Sequence, residues 1–275
     1  MSADILAHLA DFIERHPRLL VLTGAGMSTA SGIPDYRDKD GVRRGTAPVQ
    51  GPDFRKNDAV RRRYWARSMV GYPTLARAQP NDGHKALAAM QKRGLVERLM
   101  TQNVDGLHQQ AGSEQVLELH GNIHGVVCLD CHARFSRARI QDQLVDTNPQ
   151  MRGIHAQSLP DGDASLEPNS MASFNVPWCV HCGGMLQPDV VFFGDGVPAD
   201  RTRDALASME RADSLLVIGS SLIVFSGFRF CRMAAASGKP IAAINLGKTR
   251  ADDMLALKVP DSAEHVLPAL LARLS

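Results

Sequence analysis

The sequence lacks two features common in nucleic-acid-binding proteins: a strong positive charge and many aromatic side chains. Among 275 residues, 31 Lys and Arg nearly balance 29 Asp and Glu, so the net charge is +2, and aromatic residues make up 5% of the chain. Attraction to phosphates needs a basic excess, and base stacking needs aromatic rings. We therefore expect no nucleic-acid partner.

Long apolar runs are also missing. No stretch approaches the roughly 18 apolar residues of a membrane span. The first 16 residues are amphipathic and include acidic side chains, unlike the basic start and apolar run of a secretory signal or an Arg-rich presequence. We expect a cytoplasmic protein without a membrane partner, and a monomer.

Short apolar runs alternate with amphipathic stretches along most of the chain. The pattern predicts strands at 19–22, 96–101, 115–119, 190–193, 215–219 and 241–245, and helices at 2–15, 58–70, 84–92, 200–211, 227–236 and 263–274. Residues 71–82, with two prolines, are expected to form a linker. This alternation predicts an α/β fold, with a Rossmann-like parallel sheet and helices on both of its faces.

The alternation stops in the middle of the chain, where a polar stretch from Asn148 to Asn175 has no clear periodicity. Two Cys-x-x-Cys pairs of the kind that bind zinc fall within 126–188, which we expect to form a small zinc-binding module. The Rossmann-like domain would then comprise 1–38, 76–125 and 189–275. Residues 39–75 follow a glycine-rich, phosphate-binding type of turn and would form a cofactor loop and a helical insertion.

A glycine-rich turn follows the first predicted strand. Gly24, Ala25 and Gly26 precede Ser28, and a helix is expected to begin at this point. Glycines let the main chain approach a pyrophosphate closely, and the N–H groups at the start of a helix attract the anion. Thr29 stands where the fingerprint G-x-G-x-x-G has its third glycine, so a plain tight turn remains an alternative.

Four of the five cysteines form two Cys-x-x-Cys pairs, Cys128/Cys131 and Cys179/Cys182, with 47 residues between them. Two such pairs suit tetrahedral zinc, and four thiolates leave no open coordination position, which predicts a structural metal. A pair of redox dithiols is the alternative reading. The fifth cysteine, Cys231, lies in an apolar stretch and is expected in the core.

Polar residues with catalytic potential stand at the ends of two predicted strands. Asn103 and Asp105 follow one strand, and His120 follows the next. Parallel sheets bind ligands at the carboxyl ends of their strands. An imidazole with a pKa near 6.5 suits general base catalysis at neutral pH.

These motifs together resemble the sirtuin family. The segment from Gly24 to Arg37 is similar to the sirtuin signature G-A-G-x-S-x-x-S-G-I-P-D-[FY]-R. In sirtuin order there follow the segment Gln102 to His108, then His120-Gly121, the two cysteine pairs, Gly219 to Leu222, and Ile244-Asn245. The resemblance covers nearly the whole chain. The segments 188–195 and 63–67 are similar to class II sirtuins.

The resemblance implies an NAD-dependent protein lysine deacylase. The acyl-lysine oxygen would attack the nicotinamide ribose of NAD+, nicotinamide would leave, and His120 would act as general base on a ribose hydroxyl. Water would finally be taken up, and the products would be free lysine, nicotinamide and O-acyl-ADP-ribose. NAD+ would be a co-substrate, acyl-lysine proteins or peptides would be partners, and one zinc would be structural.

The resemblance also assigns residues by motif. Catalytic roles would fall to His120, Asn103 and Asp105. Substrate contacts would come from Tyr64, Arg67, Val191, Phe192, Phe193 and Gly194, the last four pairing with the peptide as an added strand. The implied NAD+ contacts are Gly24, Ala25, Gly26, Ser28, Ile33, Asp35, Tyr36, Arg37, Gln102, Asn103, Asp105, Gly219, Ser220, Ser221, Asn245, Leu246, Gly247 and Ala263.

An arginine cluster at 61–67 bears on the acyl group. It reads either as a solvated helix face or as a site for an acidic group. Tyr64 and Arg67 are three residues apart, hence on one helix face, and a Tyr-x-x-Arg pair binds acidic acyl groups in one sirtuin branch. We therefore hypothesise a preference for longer or acidic acyl chains.

Three other functions remain open from the sequence. The first is an NAD-dependent oxidoreductase, which leaves the zinc pairs and the segment 102–108 unexplained. The second is a zinc-ribbon module for nucleic acid, which the charge balance disfavours. The third is mono-ADP-ribosyl transfer as a side activity.

Overall fold

The computed structural model of the protein describes residues 3–44, 47–154, 171 and 173–274. These residues form two β-sheets with helices packed around them. Part of the polar stretch 148–175 lies outside the described residues.

The larger sheet has six strands in the order β3-β2-β1-β7-β8-β9, and every adjacent pair is parallel. The strands are β1 (Leu19–Thr23), β2 (Arg98–Thr101), β3 (Leu117–Glu118), β7 (Ser214–Ile218), β8 (Ile241–Ile244) and β9 (Leu257–Val259). Every residue of β1, β7 and β8 is buried. Burial on both faces is typical of a parallel sheet and confirms the predicted fold class.

Helices cover both faces of this sheet. Side chains alternate along β1, so Leu19 and Val21 pack against α1 (Ala3–Glu14), α4 (Asp82–Lys92) and α9 (Ala263–Arg273). Leu20 and Leu22 point the other way, toward α7 (Ala199–Arg211) and α8 (Phe225–Ala236). A short helix, α5 (Leu107–Gln110), follows β2. Within the described ranges, no helix has the length and apolar character that crossing a membrane requires.

The smaller sheet is antiparallel, in the order β5 (Arg134–Ser136), β4 (Gly121–Cys128) and β6 (Leu186–Val190). It packs with α2 (Gly51–Lys56), α3 (Asp58–Ala76) and α6 (Arg137–Thr147) around a second apolar core. Trp65, Leu144 and Leu186 are nearly inaccessible to solvent there.

The predicted end of α3 was wrong, because the helix continues through Pro73 to Ala76 instead of becoming a linker at residue 71. A proline inside a helix leaves the carbonyl four residues earlier without its N–H donor. That carbonyl belongs to Met69, and the side-chain amide of Gln141 on α6 donates to it at 2.8 Å. The contact between helices replaces the missing bond and lets α3 continue.

Two further expectations differ from the structure. The strand predicted at 190–193 occupies Leu186–Val190 and belongs to the small sheet. The glycine turn leads into two short 3-10 turns, Ala25–Met27 and Thr29–Ser31, and not into an α-helix. Gly32 has a positive φ of 85° and Pro34 lacks an N–H group, so an α-helix cannot continue there.

The predicted module boundaries at 125/126 and 188/189 fall inside β4 and β6. A hydrogen-bonded pair of strands behaves as one unit, and β4 and β6 pair from Gly121 to Cys128. We propose that the small region includes both strands in full, from Gly121 to Val190.

Candidate active site

A cavity of about 910 Å³ lies along the carboxyl edge of the parallel sheet, and residues following β1, β2, β7, β8 and β9 line it. Its size is in the usual range for ligand sites, and this edge is where such sheets bind ligands. Each residue that the resemblance assigned to NAD+, together with His120, lies on its wall. Their individual roles remain predictions.

The glycine turn fits closely against the segment that follows β7. Gly26 N–H donates to the carbonyl of Gly219 at 2.8 Å, and a side chain on Gly26 would come within 2.9 Å of the Gly219 main chain. Gly219 has a φ of 61°, and a Cβ there would lie 2.4 Å from Met27 N. These glycines are thus required by the contact of two main-chain segments, in addition to any ligand.

Asn103, Ser28 and Asp105 form one hydrogen-bonded group in the cavity wall. The amide of Asn103 donates to the Ser28 hydroxyl and to the Gly24 carbonyl, both at 3.1 Å. Ser28, which is 1% exposed, donates to Asp105 Oδ2 at 2.7 Å, and Leu107 N–H donates to the other carboxylate oxygen. Asp105 is therefore held in place by two donors.

His124 and Tyr72, which no sequence motif indicated, form a hydrogen-bonded chain that ends at the main-chain carbonyl of Asp105. His124 Nε2 lies 3.0 Å from the Asp105 carbonyl, and Tyr72 Oη lies 3.1 Å from His124 Nδ1. A carbonyl can only accept, so Nε2 carries the proton and Tyr72 donates to Nδ1. Burial raises the pKa of Tyr72, which keeps that donor protonated. No motif in the sequence marked this pair.

His120 bridges the two sheets, since it lies between β3 and β4. Its Nδ1 is 2.9 Å from the Gln102 carbonyl and its Nε2 is 2.7 Å from Ser226 Oγ. Burial lowers the pKa of His120, the Gln102 hydrogen bond partly opposes this, and the charges of Arg201 and Arg229 lower it further. The imidazole is accordingly neutral near pH 7, as a general base must be.

Two further histidines, His84 and His108, are buried near the cavity and contact each other. The rings of His84 and His108 are 4.8 Å apart, and His108 Nε2 is 2.9 Å from the Thr23 hydroxyl, which donates to Thr101 Oγ1 at 2.8 Å. Burial lowers the pKa of His84 to about 4 and that of His108 to about 3. Both rings are thus neutral structural groups at physiological pH.

The loop after the glycine turn closes over one side of the cavity. Asp35 pairs with Arg44 at 3.3 Å, and Arg37 donates to the Gly41 carbonyl at 2.8 Å. Lys248 N–H donates to the Lys39 carbonyl at 3.0 Å, which joins this loop to the segment after β8. Lys39, Arg43 and Arg44 line the cavity beside the glycine turn. Basic side chains beside a glycine turn that leaves room for a ligand close to the main chain suit the pyrophosphate of NAD+.

The residues predicted to contact substrate are only partly brought together. Tyr64 and the segment Val191 to Gly194 line the cavity. Arg67 is buried, 9% exposed, and lies outside the cavity lining. In the rest of the arginine cluster, Arg62 and Arg63 are exposed, whereas Arg61 donates to the Phe54 carbonyl at 3.0 Å. Part of the cluster is therefore a solvated helix face, and part of it hydrogen-bonds α3 to the end of α2.

The four predicted zinc ligands converge at one end of the small sheet. All four sulfur atoms lie within 4.8 Å of one another, and the Cys128–Cys182 and Cys131–Cys179 distances are both 3.6 Å. A tetrahedral site with Zn–S bonds near 2.3 Å needs sulfurs about 3.8 Å apart, whereas a disulfide needs about 2 Å. The geometry fits one structural zinc, held by four thiolates. None of the described cavity-lining residues is a cysteine.

Comparison with known proteins identifies the family. The model of the Sir2 family matches residues 24–226, which contain the glycine turn, Asn103, Asp105, His120 and the four cysteines. The chain belongs to the Sir2 family.

Similar proteins extend over almost the full chain. A relative from Pseudomonas syringae pv. tomato, named NAD-dependent protein deacetylase 3, is 53% identical over 93% of this chain and 91% of its own length. NAD-dependent protein deacetylase 2 from Bradyrhizobium diazoefficiens is 51% identical over 96% of both chains. Among solved structures, "Sir2-p53 peptide-NAD+" has a TM-score of 0.79 at 28% identity, covering 98% of each chain. "Sir2 bound to acetylated peptide" has a TM-score of 0.76 at 28% identity, covering 98% of this chain and 99% of that one.

Proposed function

We propose that this protein is an NAD-dependent protein lysine deacylase that yields nicotinamide, O-acyl-ADP-ribose and free lysine. The observation that carries the proposal is the joining, in one cavity, of the glycine turn, the Asn103–Ser28–Asp105 group and His120. The relatives that share this chain's family and most of its length are named deacetylases.

The chain's own residues fit that reaction. Bound NAD+ would supply a glycosidic bond whose cleavage releases nicotinamide and an acceptor sugar for the acyl group. Asp105 and Ile33, on the cavity wall, would hold a carboxamide, because a fixed carboxylate accepts from an amide N–H group. Asn103 would orient the ribose. His120 would accept a proton at Nε2, since its Nδ1 donates to a carbonyl.

The acyl preference stays a prediction. Tyr64 lines the cavity, but Arg67 does not, and a carboxylate clamp needs both side chains at the acyl group. The absence of Arg67 from the lining supports acetyl-lysine as the first substrate to test. The names of the relatives point the same way.

Several main-chain groups of the segment 191–194 already have hydrogen-bond partners within the protein, which limits how a substrate strand could pair with it. Val191 N–H donates to the His120 carbonyl at 2.8 Å, and the Phe193 carbonyl accepts from Gly51 N–H at 2.8 Å. The Phe192 carbonyl accepts from Asp195 N–H at 3.1 Å. A peptide would therefore bind through the remaining main-chain groups of the segment, among them the Val191 carbonyl.

An acyl-peptide panel with NAD+ tests the function. We expect nicotinamide release to depend on the acyl-peptide and to match deacylated lysine one to one. Acetyl preferred over succinyl and methylglutaryl by roughly tenfold in kcat/KM, about 1.4 kcal/mol, would reject the acidic-acyl hypothesis. NADH absorbance would instead support an oxidoreductase, and label passing from NAD+ to protein would reveal ADP-ribosyl transfer.

His120→Tyr tests the general base in the same assay. Loss of a general base lowers turnover by about 10²- to 10⁴-fold, so deacylation should fall near background while the circular dichroism spectrum and the thermal unfolding midpoint stay unchanged. Retained activity would remove His120 from the role.

Four finer expectations belong to this proposal. They are membership of the class II branch, a cytoplasmic location, a monomeric state and the lack of a nucleic-acid partner. The near-zero net charge supports the last of these, and the similarity of segments 188–195 and 63–67 to class II sirtuins supports the first. A sedimentation measurement of the purified protein tests the monomer.

A further inference from the structure

Ser226 faces His120 across the cavity wall, and the sequence analysis gave it no role. It lies in the first turn of α8, lines the cavity, and its hydroxyl oxygen is 2.7 Å from His120 Nε2. The N-cap position of α8 is Val224, and no side chain caps that end. The Ser226 hydroxyl thus serves the histidine and not the helix terminus.

The other ring nitrogen of His120 determines which atom carries the proton. Nδ1 lies 2.9 Å from the Gln102 carbonyl, and a carbonyl only accepts, so the neutral ring is protonated at Nδ1. Nε2 then presents a lone pair, to which Ser226 must donate. When the ring gains a proton, Nε2–H can donate to the same oxygen, because a hydroxyl both donates and accepts.

Two opposed hydrogen bonds restrain a ring more than one does. With the Gln102 carbonyl alone, the imidazole could pivot about the Nδ1 contact. The second bond at Nε2 fixes the plane of the ring and the direction of the lone pair. The charged groups that act on the ring are Arg201 of α7 and Arg229 of α8. Arg201 lies 3.6 Å from Asp189 of the small sheet.

We propose that Ser226 is a positioning residue for His120. Its hydroxyl holds the imidazole with the Nε2 lone pair directed into the cavity, and it yields that nitrogen when a substrate hydroxyl arrives. The proposal rests on the proposed deacylase function, in which Nε2 accepts the proton of that hydroxyl.

Nuclear magnetic resonance of the ligand-free protein tests the contact without any turnover. With ¹⁵N-labelled histidine, Ser226→Ala should shift the Nε2 resonance of His120, because its lone pair loses a donor. Hydrogen bonds to a charged group are stronger than those to a neutral one, so the variant should also lower the pKa of His120 by about 0.5 to 1 unit. Ser226→Thr, which keeps a hydroxyl, should restore both values. An unchanged resonance and pKa in Ser226→Ala would overturn the proposal.

Kinetics separate the role of Ser226 from a general disturbance of the site. Ser226→Ala should lower kcat for deacylation about 10- to 100-fold, a part of what a general base contributes. Exchange of labelled nicotinamide into NAD+, which precedes the action of the base, should change less than about threefold, and Ser226→Thr should recover most of kcat. Ser237→Ala, at the exposed opposite end of α8, is the matched control and should match the unaltered protein.

The outcomes distinguish the two levels of the proposal. No peptide-dependent nicotinamide release by the unaltered protein would refute the deacylase function itself. An active unaltered protein whose Ser226→Ala variant loses exchange and deacylation equally, or loses neither, would refute only the positioning role.

Discussion

The two sheets of this protein are stabilised in different ways. In the parallel sheet, β1, β7 and β8 are buried along their whole length between two layers of helices. In the small sheet, β4 alternates between buried and half-buried residues, and only the central residue of β5 is buried. Four clustered cysteines lie at the end of that sheet. The first region rests on apolar burial, whereas the second has the ligands for a metal.

The active site joins these two regions. His120 lies between them in sequence, its carbonyl accepts a hydrogen bond from Val191 N–H directly after β6 of the small region, and its ring contacts Ser226 of the large one. A change in the small region can therefore alter the catalytic geometry without touching the NAD+ side of the cavity. The two regions should therefore respond differently to the loss of zinc, to acid and to the loss of a helix cap.

The largest expected effect is the loss of zinc from the small region. Structural zinc binding contributes on the order of 10 kcal/mol to the folding of small metal-dependent units. Cys179→Ser should lower the zinc content and raise amide hydrogen exchange in β4 and β6 by about 100-fold or more, with β1 and β7 still protected. Hydrogen exchange with mass spectrometry reports both regions at once.

Cys231→Ala is the control for that experiment. Cys231 is buried in the core beside the parallel sheet, so its loss should leave one zinc per chain. Full zinc content with normal exchange in Cys179→Ser would end the four-thiolate assignment.

A smaller effect should come from acid, and it should act on the parallel region. The pKa of His84, about 4, and that of His108, about 3, are lowered by burial from about 6.5 in an unfolded chain. Between these values the unfolded chain binds more protons, so the free energy of unfolding falls as the pH drops below about 6.5. From pH 7 to pH 5 the pair should cost about 4 kcal/mol, measured by urea unfolding.

His84→Phe assigns that pH dependence to the pair. Neither ring nitrogen of His84 has a hydrogen-bond partner among the described residues, so an apolar ring of similar shape loses no bond. The variant should lose about half of the pH effect. His8→Phe, on the exposed side of α1, should keep all of it. An equal pH dependence in His84→Phe would contradict the assignment.

The smallest effect should come from removing a helix cap. One cap belongs to α3, which packs with the small sheet, and one to α4, which packs on the parallel sheet. Asn57 caps α3 by accepting from Ala59 and Val60 N–H, and Asn81 caps α4 by accepting from Gly83 and His84 N–H. Each Asn→Ala change should cost about 1 kcal/mol in thermal or urea unfolding.

Asn81 has a second task that Asn57 lacks. Its amide donates to the Met27 carbonyl at 2.9 Å and to Ser31 Oγ at 3.0 Å, both in the turns next to the glycine motif. Asn81→Ala should therefore also raise KM for NAD+ by about threefold, whereas Asn57→Ala should not. Equal KM values for the two variants would show that the cap does not support the cofactor turn.

Much of the site was predictable because its signals are local. Glycines spaced two apart after an apolar run, cysteines at Cys-x-x-Cys spacing, and polar residues at strand ends each have a physical meaning within a few residues. The cofactor residues that the resemblance implied also line one cavity. Helix periodicity, by contrast, placed Tyr64 and Arg67 on one face but left open which side chain reaches the cavity.

The misplaced elements have specific causes. The end of α3 depended on Gln141, a residue 72 positions from the carbonyl that it satisfies, whereas the two prolines in residues 71–82 predicted a linker. Residues 190–193 are apolar like a parallel strand, yet β6 pairs with β4 in the small sheet. Composition does not distinguish the two kinds of pairing in so short a run.

By itself, the sequence predicted the fold class from its alternating pattern and the four zinc ligands from their Cys-x-x-Cys spacing, and its resemblance to sirtuins implied the residues available to NAD+. Only the tertiary structure decided that Ser226 meets His120 across 106 positions of sequence, that Arg67 lies outside the cavity lining, and that the motif glycines pack against Gly219. Such contacts depend on how the sheet edge, the helices and the loops pack in three dimensions, and that packing has no local signature.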